Sequence, residues 1–250
     1  VQILTNTDPD IADTLATQID RLNTDRRTEE AAARMAAEQL AEEKLAAQPD
    51  LPILVLAGQN WHEGVIGIVA GRLKDAYHRP VIIISFDAQG QGKGSARSVA
   101  GFSIGDHILA ACDMGYLKSG GGHDMAAGLS LDKVELADFE TFLVDRARAV
   151  FAGVPQRVFS YCHSMSVAGC NSALVDGLDA IGPFGAGHAE PRFVITHCRL
   201  KNLRWMGKEK AHLSVLLDDG TDKPLRAVSF GIAGTKLGRF LAATPDPGPV

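Results

Sequence analysis

Four aliphatic residues in a row, at positions 81 to 84, constrain the fold of this chain more than any other stretch. A strand that is apolar on both faces has to be covered on both faces, as a central strand of a parallel sheet is. The earlier segment "LPILVLAG", residues 51–58, predicts a second buried strand. Between the two, Val65, Val69 and Leu73 recur at helical spacing. This alternation of strands and helices predicts an α/β domain.

A long polar segment precedes these strands and predicts one helix over residues 8–48. Asp8 is suited to be its N-cap and Pro9 to be its first helical residue. The run is rich in Ala, Glu and Arg, so we expect a largely exposed helix that joins two lobes, with a break near Asn23. The preceding "VQIL", residues 1–4, predicts the remnant of a strand.

Beyond the central strand the α/β pattern continues to about residue 150 and then changes. We expect a turn at "DAQGQGKG" (residues 87–94), a short strand "SARSVAG", a helix capped by Ser103, a strand "AAGLSL" and a further helix. From about residue 156, short apolar runs are separated by Gly- and Asp-rich turns. That texture predicts a small all-β barrel or sandwich.

Charge and cysteine content narrow the possible function classes. The formal net charge is −5, but from residue 177 onward five Lys and five Arg stand against seven acidic residues. A basic module on an acidic body is compatible with a polyanionic partner, and equally with ordinary scatter of surface charge. The four cysteines are scattered without a CxxC pair, which favours reduced thiols in a cytoplasmic protein. No apolar run approaches the roughly 18–20 residues that span a membrane.

The stretch "SGGGHDMAAG", residues 119–128, sets one histidine in a run with almost no side chains. Consecutive glycines permit positive φ, and their N–H groups can line an anion-binding nest. With His123 as a donor at the rim, the stretch would suit a phosphate. A glycine-rich turn with an incidental histidine explains the same letters. Neither a P-loop nor a dinucleotide fingerprint is present.

Two other stretches of the α/β part carry candidate anion-binding residues. In "GKGSARSVAG", alternation along a strand puts Ser95 and Arg97 on one face, where Arg97 could hold a phosphate with two N–H groups. An edge-strand arginine in solvent is the alternative. In "NWHEG", His62 stands at a probable helix start, which favours anions. An ordinary first helical turn explains that residue too.

The C-terminal part contains a basic segment around an aromatic residue. In "RLKNLRWMGKEKAH", residues 199–212, five basic residues that include Arg204 and Lys208 surround Trp205. Single-strand binding uses this combination, since phosphates are neutralised and bases stack on the ring. A charged hairpin is the alternative.

Metal-dependent hydrolysis needs clustered Asp and His ligands, and the sequence offers none. There is no DHH, DHD or HxD cluster, and we find no Ser-His-Asp or Cys-His arrangement. We therefore predict no metal site in this chain.

Four stretches, taken in order, resemble the RecJ family of single-stranded-DNA-specific exonucleases. They are "NWHEGVIGIVAGRLKDAYHRPVIIIS", "GKGSARSVAGFSI", "GGGHDMAAGLSL" and "LDAIGPFGAGHAEPRF", and the resemblance covers almost the whole chain. The glycine–histidine motif alone is shared with other DHH-associated domains, including those of alanyl-tRNA synthetases and small-oligonucleotide phosphodiesterases. The first and last runs are more specific to the RecJ family.

The resemblance implies an α/β DHH-associated domain with a long connecting helix, followed by a small all-β OB-fold barrel. Residues 1–48 would be the end of a DHH domain and the connecting helix. Residues 49–150 would be the DHH-associated domain, and 156–250 an OB-fold truncated in its later strands. In the family, Mn²⁺ or Mg²⁺ is held by the DHH domain, whose ligands this chain lacks. We therefore expect this chain alone to bind no metal and to be inactive.

The resemblance also implies roles for the candidate residues. Ser95 and Arg97 would hold the 5′ end or its adjacent phosphate, and Gly121, Gly122 and His123 would face the scissile bond. His123 is the one candidate for a catalytic role.

Further contacts are implied outside these two motifs. Arg26 or Arg27 on the connecting helix would touch another phosphate, and His62 is a further candidate for a substrate contact. Trp205, with Arg204 and Lys208, would bind the incoming strand.

The implied activity is two-metal hydrolysis of single-stranded DNA from the 5′ end in DNA repair and recombination. Single-stranded DNA would be the substrate, with a single-strand-binding protein and a repair helicase as possible partners and no membrane. Three alternatives stay open: a small-oligonucleotide phosphodiesterase of the same superfamily, a non-catalytic nucleic-acid-binding protein, and a tRNA-editing module.

Overall fold

The long N-terminal helix, α1, spans Pro9–Ala47. The Asp8 carboxylate caps it by accepting from the Asp10 N–H at 3.0 Å, and Pro9 occupies the first turn, where a missing N–H costs nothing. These predictions are confirmed, but the predicted break near Asn23 is wrong. The helix runs straight through Asn23, whose side chain accepts a hydrogen bond from Arg26 at 3.0 Å.

The computed structural model describes residue 5 and residues 8–155, 158–185, 187–221 and 223–243. The predicted strand at residues 1–4 lies outside them. The chain divides into two compact units, Val1–Arg157 and Val158–Val250. They are called the first and the second unit below.

The first unit contains a five-stranded mixed sheet. After α1 the elements are β1 (Leu54–Gln59), α2 (Glu63–Tyr77), β2 (Val81–Phe86), β3 (Gln91–Arg97), α3 (Ile104–Asp113), β4 (Ser119–His123), β5 (Ala126–Asp132) and α4 (Leu136–Val150). The strand order is β1-β2-β3-β5-β4. Strands β1 and β2 are parallel, and every other pairing is antiparallel.

Helices cover the sheet on both faces, and alternation along β2 shows how. Ile82 and Ile84 point into an apolar cluster with α3 and α4, whereas Val81 and Ile83 point into a second cluster with α1 and α2. All six residues of β2 are buried, as the aliphatic run predicts. Each fully buried aliphatic side chain contributes about 1.5–3 kcal/mol relative to an exposed one.

Strand β3 begins earlier than predicted. The turn ends at Gly90, which has a φ of +79°, and the strand starts at Gln91. The glycines that suggested a longer turn are instead required by packing. A Cβ at Gly94 would lie 2.6 Å from a Leu129 methyl carbon, so only glycine lets β5 and its side chains approach this closely.

The triple glycine is a strand, not a turn, and the predicted positive φ angles are wrong. Gly120, Gly121 and Gly122 lie in β4 and form an antiparallel hairpin with β5. A Cβ at Gly120 would lie 2.5 Å from the Ile108 Cγ2 atom, and one at Gly122 would overlap the Ala126 carbonyl oxygen. The glycines are needed because the hairpin lies tightly against α3. The predicted anion nest therefore does not form.

The second unit is rich in short strands but also contains two helices that the sequence reasoning did not predict. Its elements are β6 (His163–Met165), α5 (Ser172–Ile181), β7 (Phe193–Ile195), β8 (Arg199–Met206), β9 (His212–Asp218), β10 (Leu225–Ser229) and α6 (Lys236–Ala243). Strands β8, β9 and β10 form an antiparallel sheet, and β6 pairs with β7 in parallel. Leu213, Ile232 and Leu241 form a buried apolar cluster, which is called the core of this unit below.

Candidate functional site

An open cleft of about 690 Å³ lies on the α2 side of the sheet in the first unit. Helix α2 packs on β2 and β3 and leaves part of the β5–β4 hairpin uncovered. The lining residues are Glu63, Gly64, Ile66, Gly67, Ile68, Lys93, Gly94, Ser95, Arg97, Ser119, Gly120, Gly121, Gly128, Leu129 and Ser130. Most of them are small, so a ligand can reach the backbone of three strands.

The strands β3, β5 and β4 form the floor of the cleft, and their register places its residues in rows. Ser95 pairs with Gly128, which pairs with Gly121 on β4. The neighbouring row is Lys93, Ser130 and Ser119 in the same order. Small residues therefore stand opposite each polar side chain of β3 that faces the cleft. A ligand in the cleft can touch Lys93 and Ser95 from one side without meeting bulk on the other.

Ser95 and Arg97 lie on one face of β3, as predicted. The Arg97 guanidinium donates to the Ser95 hydroxyl oxygen at 3.1 Å and to the Ala96 carbonyl oxygen at 2.8 Å. Gly67 of α2 faces this pair, because a Cβ there would lie 3.1 Å from both the Arg97 Nη2 and the Ser95 Oγ atoms. The helix thus leaves just enough room for a fixed arginine.

The charge of the cleft favours an anion. Lys93 and Arg97 contribute two positive charges and Glu63 one negative charge. Within the described residues no carboxylate lies within 4.0 Å of either cation. A guanidinium and an ammonium without such partners can each pair with phosphate oxygens, and the planar guanidinium can do so with two N–H groups.

The glycine–histidine motif is divided between two places. Gly121 lines the cleft, and a Cβ on it would meet nothing within 4 Å. His123 is exposed at the end of β4, opposite Ala126 and in one row with Arg97, outside the residues that line the cleft. Gly122 serves the close packing of the hairpin.

The turn after His123 is fixed to helix α3. The Ser103 hydroxyl donates to the Asp124 carboxylate at 2.8 Å, and the Ile104 N–H donates to the Asp124 carbonyl oxygen at 3.1 Å. Ser103 is the predicted N-cap residue, but its side chain holds this turn rather than the N–H groups of its own helix. The imidazole therefore stands on an anchored hairpin end.

His62 caps helix α2. Its Nδ1 atom accepts from the Gly64 N–H at 3.0 Å, and the same atom lies 3.9 Å from a Glu29 carboxylate oxygen. Of the two interpretations of His62 given by the sequence, this capping role matches the one in which the residue belongs to an ordinary first helical turn. His62 does not line the cleft.

The two predicted arginines of the connecting helix lie in a different groove, of about 640 Å³, between α1 and α2. Arg26 is held by Glu30 at 2.9 Å, and Glu30 also binds Arg72 at 2.5 Å. Arg27 lines the groove and makes no ion pair within the described residues. Arg27 is therefore better placed than Arg26 to receive a phosphate.

The second unit presents only part of its predicted binding set to solvent. Arg204 and Lys208 are exposed, but Trp205 is partly buried and packs against the core of the unit. Lys201 is paired with Asp218, and its hydrogen bond holds the pKa of that carboxyl below its usual range. Arg204 and Lys208 remain suited to phosphates, whereas Trp205 has less ring surface for stacking.

Two pKa shifts in the first unit have clear structural causes. Lys118 lies 2.8 Å from an Asp132 carboxylate oxygen, and its hydrogen bond lowers the pKa of that carboxyl, with help from Gln91. Burial lowers the pKa of His107, whose ring stacks on Phe102 with centroids 4.1 Å apart. Neither group lines the cleft.

Sequence reasoning missed several lining residues. Lys93 is one strand alternation before Ser95, and Ser119 is one before Gly121, so the alternation rule that found their neighbours also marks them. No sequence pattern marks Gly67 as a residue of the cleft, because only the packing of α2 on β3 shows which side chains it faces.

Comparison with known proteins agrees with this architecture. The DHHA1 domain model matches residues 50–152, and the RecJ OB domain model matches residues 163–244. The chain therefore combines a DHHA1 domain with a RecJ OB domain. Its order of an α/β domain with a long connecting helix and an OB domain is that of the C-terminal region of RecJ.

The chain is similar to curated RecJ proteins, which are named single-stranded-DNA-specific exonucleases. It is 32% identical to the Haemophilus influenzae protein over 222 residues, covering 87% of this chain and 38% of that protein. It is 29% identical to the Bacillus subtilis protein over 222 residues, covering 87% of this chain and 27% of that one. The chain thus spans well under half the length of the relatives it matches.

A solved structure supports the same relationship. The crystal structure of RecJ from Thermus thermophilus in complex with Mg²⁺ matches with a TM-score of 0.71 and 29% identity, over 92% of this chain and 34% of that chain. Another structure of that protein was solved with Mn²⁺.

Two absences concern the residues that the structure describes. No group of three His, Cys, Asp or Glu side chains there is arranged to hold a metal ion. No helix in the same residues is long and apolar enough to cross a membrane.

Proposed function

We propose that this chain is the substrate-binding C-terminal part of a RecJ-like exonuclease that degrades single-stranded DNA from its 5′ end. The observation that carries the proposal is the Ser95–Arg97 pair in a basic cleft whose floor consists of glycines and serines. A phosphodiester strand needs cations and close access to the backbone, and the cleft offers both.

Three residues of the cleft would each make a different contact with a phosphate. The Arg97 guanidinium would donate N–H groups to two phosphate oxygens, and the Ser95 hydroxyl would donate to a third atom of the group. Lys93 would neutralise the remaining charge as a point cation. The existing hydrogen bond between Arg97 and Ser95 orients the guanidinium before the ligand arrives, which reduces the entropic cost of binding.

His123 would act at the rim of the site. It is exposed on the anchored hairpin end, in the row of Arg97. From there its imidazole would donate a hydrogen bond to a phosphate next to the one in the cleft. In the whole enzyme this phosphate would be the scissile one.

The metal chemistry of the whole enzyme would come from Mn²⁺ or Mg²⁺, the ions present in the Thermus thermophilus structures. The described residues of this chain do not fit such an ion, because they offer no cluster of carboxylates and imidazoles. The contribution of this chain is therefore to bind and orient the strand. Residues 1–48 would be the end of the metal-binding domain with the connecting helix, followed by the DHH-associated domain at 49–150 and the OB-fold at 156–250.

The second unit would extend the strand contact. Arg204 and Lys208 are exposed cations four positions apart in the sequence, in a segment matched by the RecJ OB domain model. They would neutralise phosphates that the cleft does not reach. Such a module favours a strand as substrate over a dinucleotide, which has no further phosphates to bind.

The test is binding of a 5′-phosphorylated single strand to the chain, measured by fluorescence anisotropy at two salt concentrations. Arg97→Ala should weaken binding about 10-fold to 100-fold, since a hydrogen bond to a charged group is worth about 1.5–3 kcal/mol. Arg97→Lys should restore part of the affinity. Arg148→Ala is the matched control, because Arg148 lies on α4 on the opposite face of the sheet. Equal affinities for Arg97→Ala and Arg148→Ala would contradict the proposal.

A further inference from the structure

A further cavity, of about 610 Å³, lies beside the cleft at the carboxyl ends of β1 and β2. These strands are parallel, so their ends meet at one edge of the sheet, and the Asn60 N–H extends the pairing by donating to the Phe86 carbonyl oxygen at 3.0 Å. Ligands of open α/β sheets bind at this kind of edge. We name this cavity the strand-end pocket. Its lining residues are Asn60, Trp61, His62, Glu63, Ser85, Phe86, Asp87, Gln91 and Lys93.

The strand-end pocket and the cleft share a wall. Glu63 and Lys93 line both of them. Along β3, Gln91 faces the pocket, Lys93 stands at the border and Ser95 faces the cleft, at steps of about 7 Å for every second residue of a strand. A single nucleotide is long enough to place its phosphate in one cavity and its base in the other.

Trp61 gives the pocket a fixed aromatic wall. Its indole lies directly over Gly58 of β1, where a Cβ would fall 2.9 Å from the Trp61 Cδ2 atom and closer still to two further ring atoms. The ring is partly buried and packs against the apolar cluster of α1 and α2. An aromatic ring that is already immobilised loses little entropy when a base stacks on it, and stacking contributes about 1–3 kcal/mol per base.

The polar groups of the pocket suit the edge of a base. The Asp87 Oδ1 atom accepts from the N–H groups of Gln89 and Gln91 at 2.9 and 2.8 Å, which holds the carboxylate in place and leaves its other oxygen for a donor. Asn60, exposed at a φ of 57°, adds an amide with both a donor and an acceptor. Carboxylates and amides are the groups that read exocyclic amines and ring nitrogens.

The charges of the two cavities favour different parts of a nucleotide. The cleft combines Lys93 and Arg97 with one carboxylate, whereas the strand-end pocket combines Lys93 with the carboxylates of Glu63 and Asp87. A phosphate is therefore favoured in the cleft and disfavoured in the pocket. An uncharged, flat group with donors on its edge is favoured in the pocket.

We infer that the strand-end pocket binds the nucleobase of the nucleotide whose phosphate lies in the cleft, with Trp61 as the stacking surface and Asp87 and Asn60 at the base edge. The inference rests on the proposed function, because it takes the phosphate in the cleft as its starting point. It adds a base-binding site to a chain whose other contacts are to phosphates. Adenine and cytosine, which carry exocyclic amines, should bind more tightly than thymine.

The chain contains two tryptophans, so Trp205→Phe leaves Trp61 as the sole indole and its fluorescence as a direct readout. The probes are deoxyadenosine 5′-monophosphate, deoxyribose 5-phosphate and inorganic phosphate, with affinities measured by calorimetry. The mononucleotide should quench Trp61 saturably and bind about 5-fold to 100-fold more tightly than deoxyribose 5-phosphate. Trp61→Ala should abolish that preference while leaving the affinity for inorganic phosphate unchanged, and Trp61→Phe should retain part of it.

The outcomes separate the two proposals. Equal binding of the mononucleotide and deoxyribose 5-phosphate, both weakened by Arg97→Ala, would overturn the nucleobase pocket and leave the phosphate cleft standing. Quenching of Trp61 by the mononucleotide that is unaffected by Arg97→Ala would support the pocket and overturn the phosphate assignment. Loss of the preference on Trp61→Ala with unchanged circular dichroism would show that the indole itself carries it.

Discussion

Filling the space between helix α2 and the Ser95–Arg97 pair should weaken strand binding without unfolding the protein. Gly67 and Gly71 lie one helical turn apart on α2. A Cβ at Gly67 would lie 3.1 Å from the Arg97 and Ser95 side chains, whereas one at Gly71 would meet nothing within 4 Å. The same substitution at the two positions therefore separates an effect on the cleft from an effect on the helix.

The expected magnitudes follow from these contacts. Glycine is about 0.8–1.0 kcal/mol less favourable than alanine in a helix interior, and leucine ranks close to alanine. Gly71→Leu should therefore raise the free energy of unfolding by about 0.5–1 kcal/mol and leave binding unchanged. Gly67→Leu gains the same propensity but displaces the Arg97 guanidinium, so it should lose a charge-assisted contact worth about 1.5–3 kcal/mol, or roughly 10-fold to 100-fold in affinity.

Both quantities can be measured on the same preparations. Urea unfolding gives the stability of each variant, and anisotropy with a 5′-phosphorylated single strand gives the affinity. If Gly67→Leu and Gly71→Leu bind the strand equally well, the cleft beside Arg97 does not receive the phosphate, and the reasoning fails.

Three further predictions concern the fold of the first unit. Gly122→Ala should lower the free energy of unfolding by about 1–3 kcal/mol in urea titrations, because its Cβ would overlap the Ala126 carbonyl oxygen and force the hairpin to shift. Gly121→Ala, on the open side, should change the free energy of unfolding little. Equal losses would show that Gly122 is not needed for close packing. Burial lowers the folded-state pKa of His107, so its contribution to stability is complete above the ordinary value of about 6.5 and is lost as the pH falls toward the folded pKa. His107→Gln should flatten this part of the curve of unfolding free energy against pH. An unchanged slope would contradict this role of His107. Glu30→Ala should lower the free energy of unfolding by about 1 kcal/mol in thermal or urea unfolding, more than Glu38→Ala does. The reason is that buried Glu30 joins Arg26 to Arg72, whereas Glu38 makes one ion pair with Arg34 on the helix surface. Equal losses would show that the ion pairs of Glu30 between the two helices are not stabilising.

Much of the first unit could be predicted from the sequence because its signals are local. The aliphatic run at residues 81–84 has to be buried on both faces, and Asp8 followed by Pro9 marks a helix start. The alternation that places Ser95 and Arg97 together depends only on a strand being present. These features need no knowledge of what packs against them.

The glycine-rich stretch could not be predicted correctly, because the same letters serve two purposes. Glycine permits positive φ, and it also permits close packing. Only the position of Ile108 on α3 shows that Gly120 is needed for packing. The role of Gly67 was hidden for the same reason, since its importance depends on side chains about 30 positions later in the sequence.

Trp205 shows a comparable limit in the second unit. A tryptophan among basic residues suits base stacking, but Leu200, Leu203 and Trp205 pack together against the core of that unit. Strand alternation is interrupted by an irregularity between Lys201 and Arg204, which changes the side to which the following residues point. The sequence carries no evident sign of that irregularity.

We propose that the cleft beside Arg97 receives the 5′ phosphate of a single DNA strand. The most direct test is competition between otherwise identical strands that carry a 5′ phosphate or a 5′ hydroxyl, with matched duplex as a third competitor, on the unmodified chain and on Arg97→Ala. We expect the phosphorylated single strand to compete best and its advantage to disappear in Arg97→Ala. Equal competition by all three nucleic acids, with the same pattern in Arg97→Ala, would contradict this proposal.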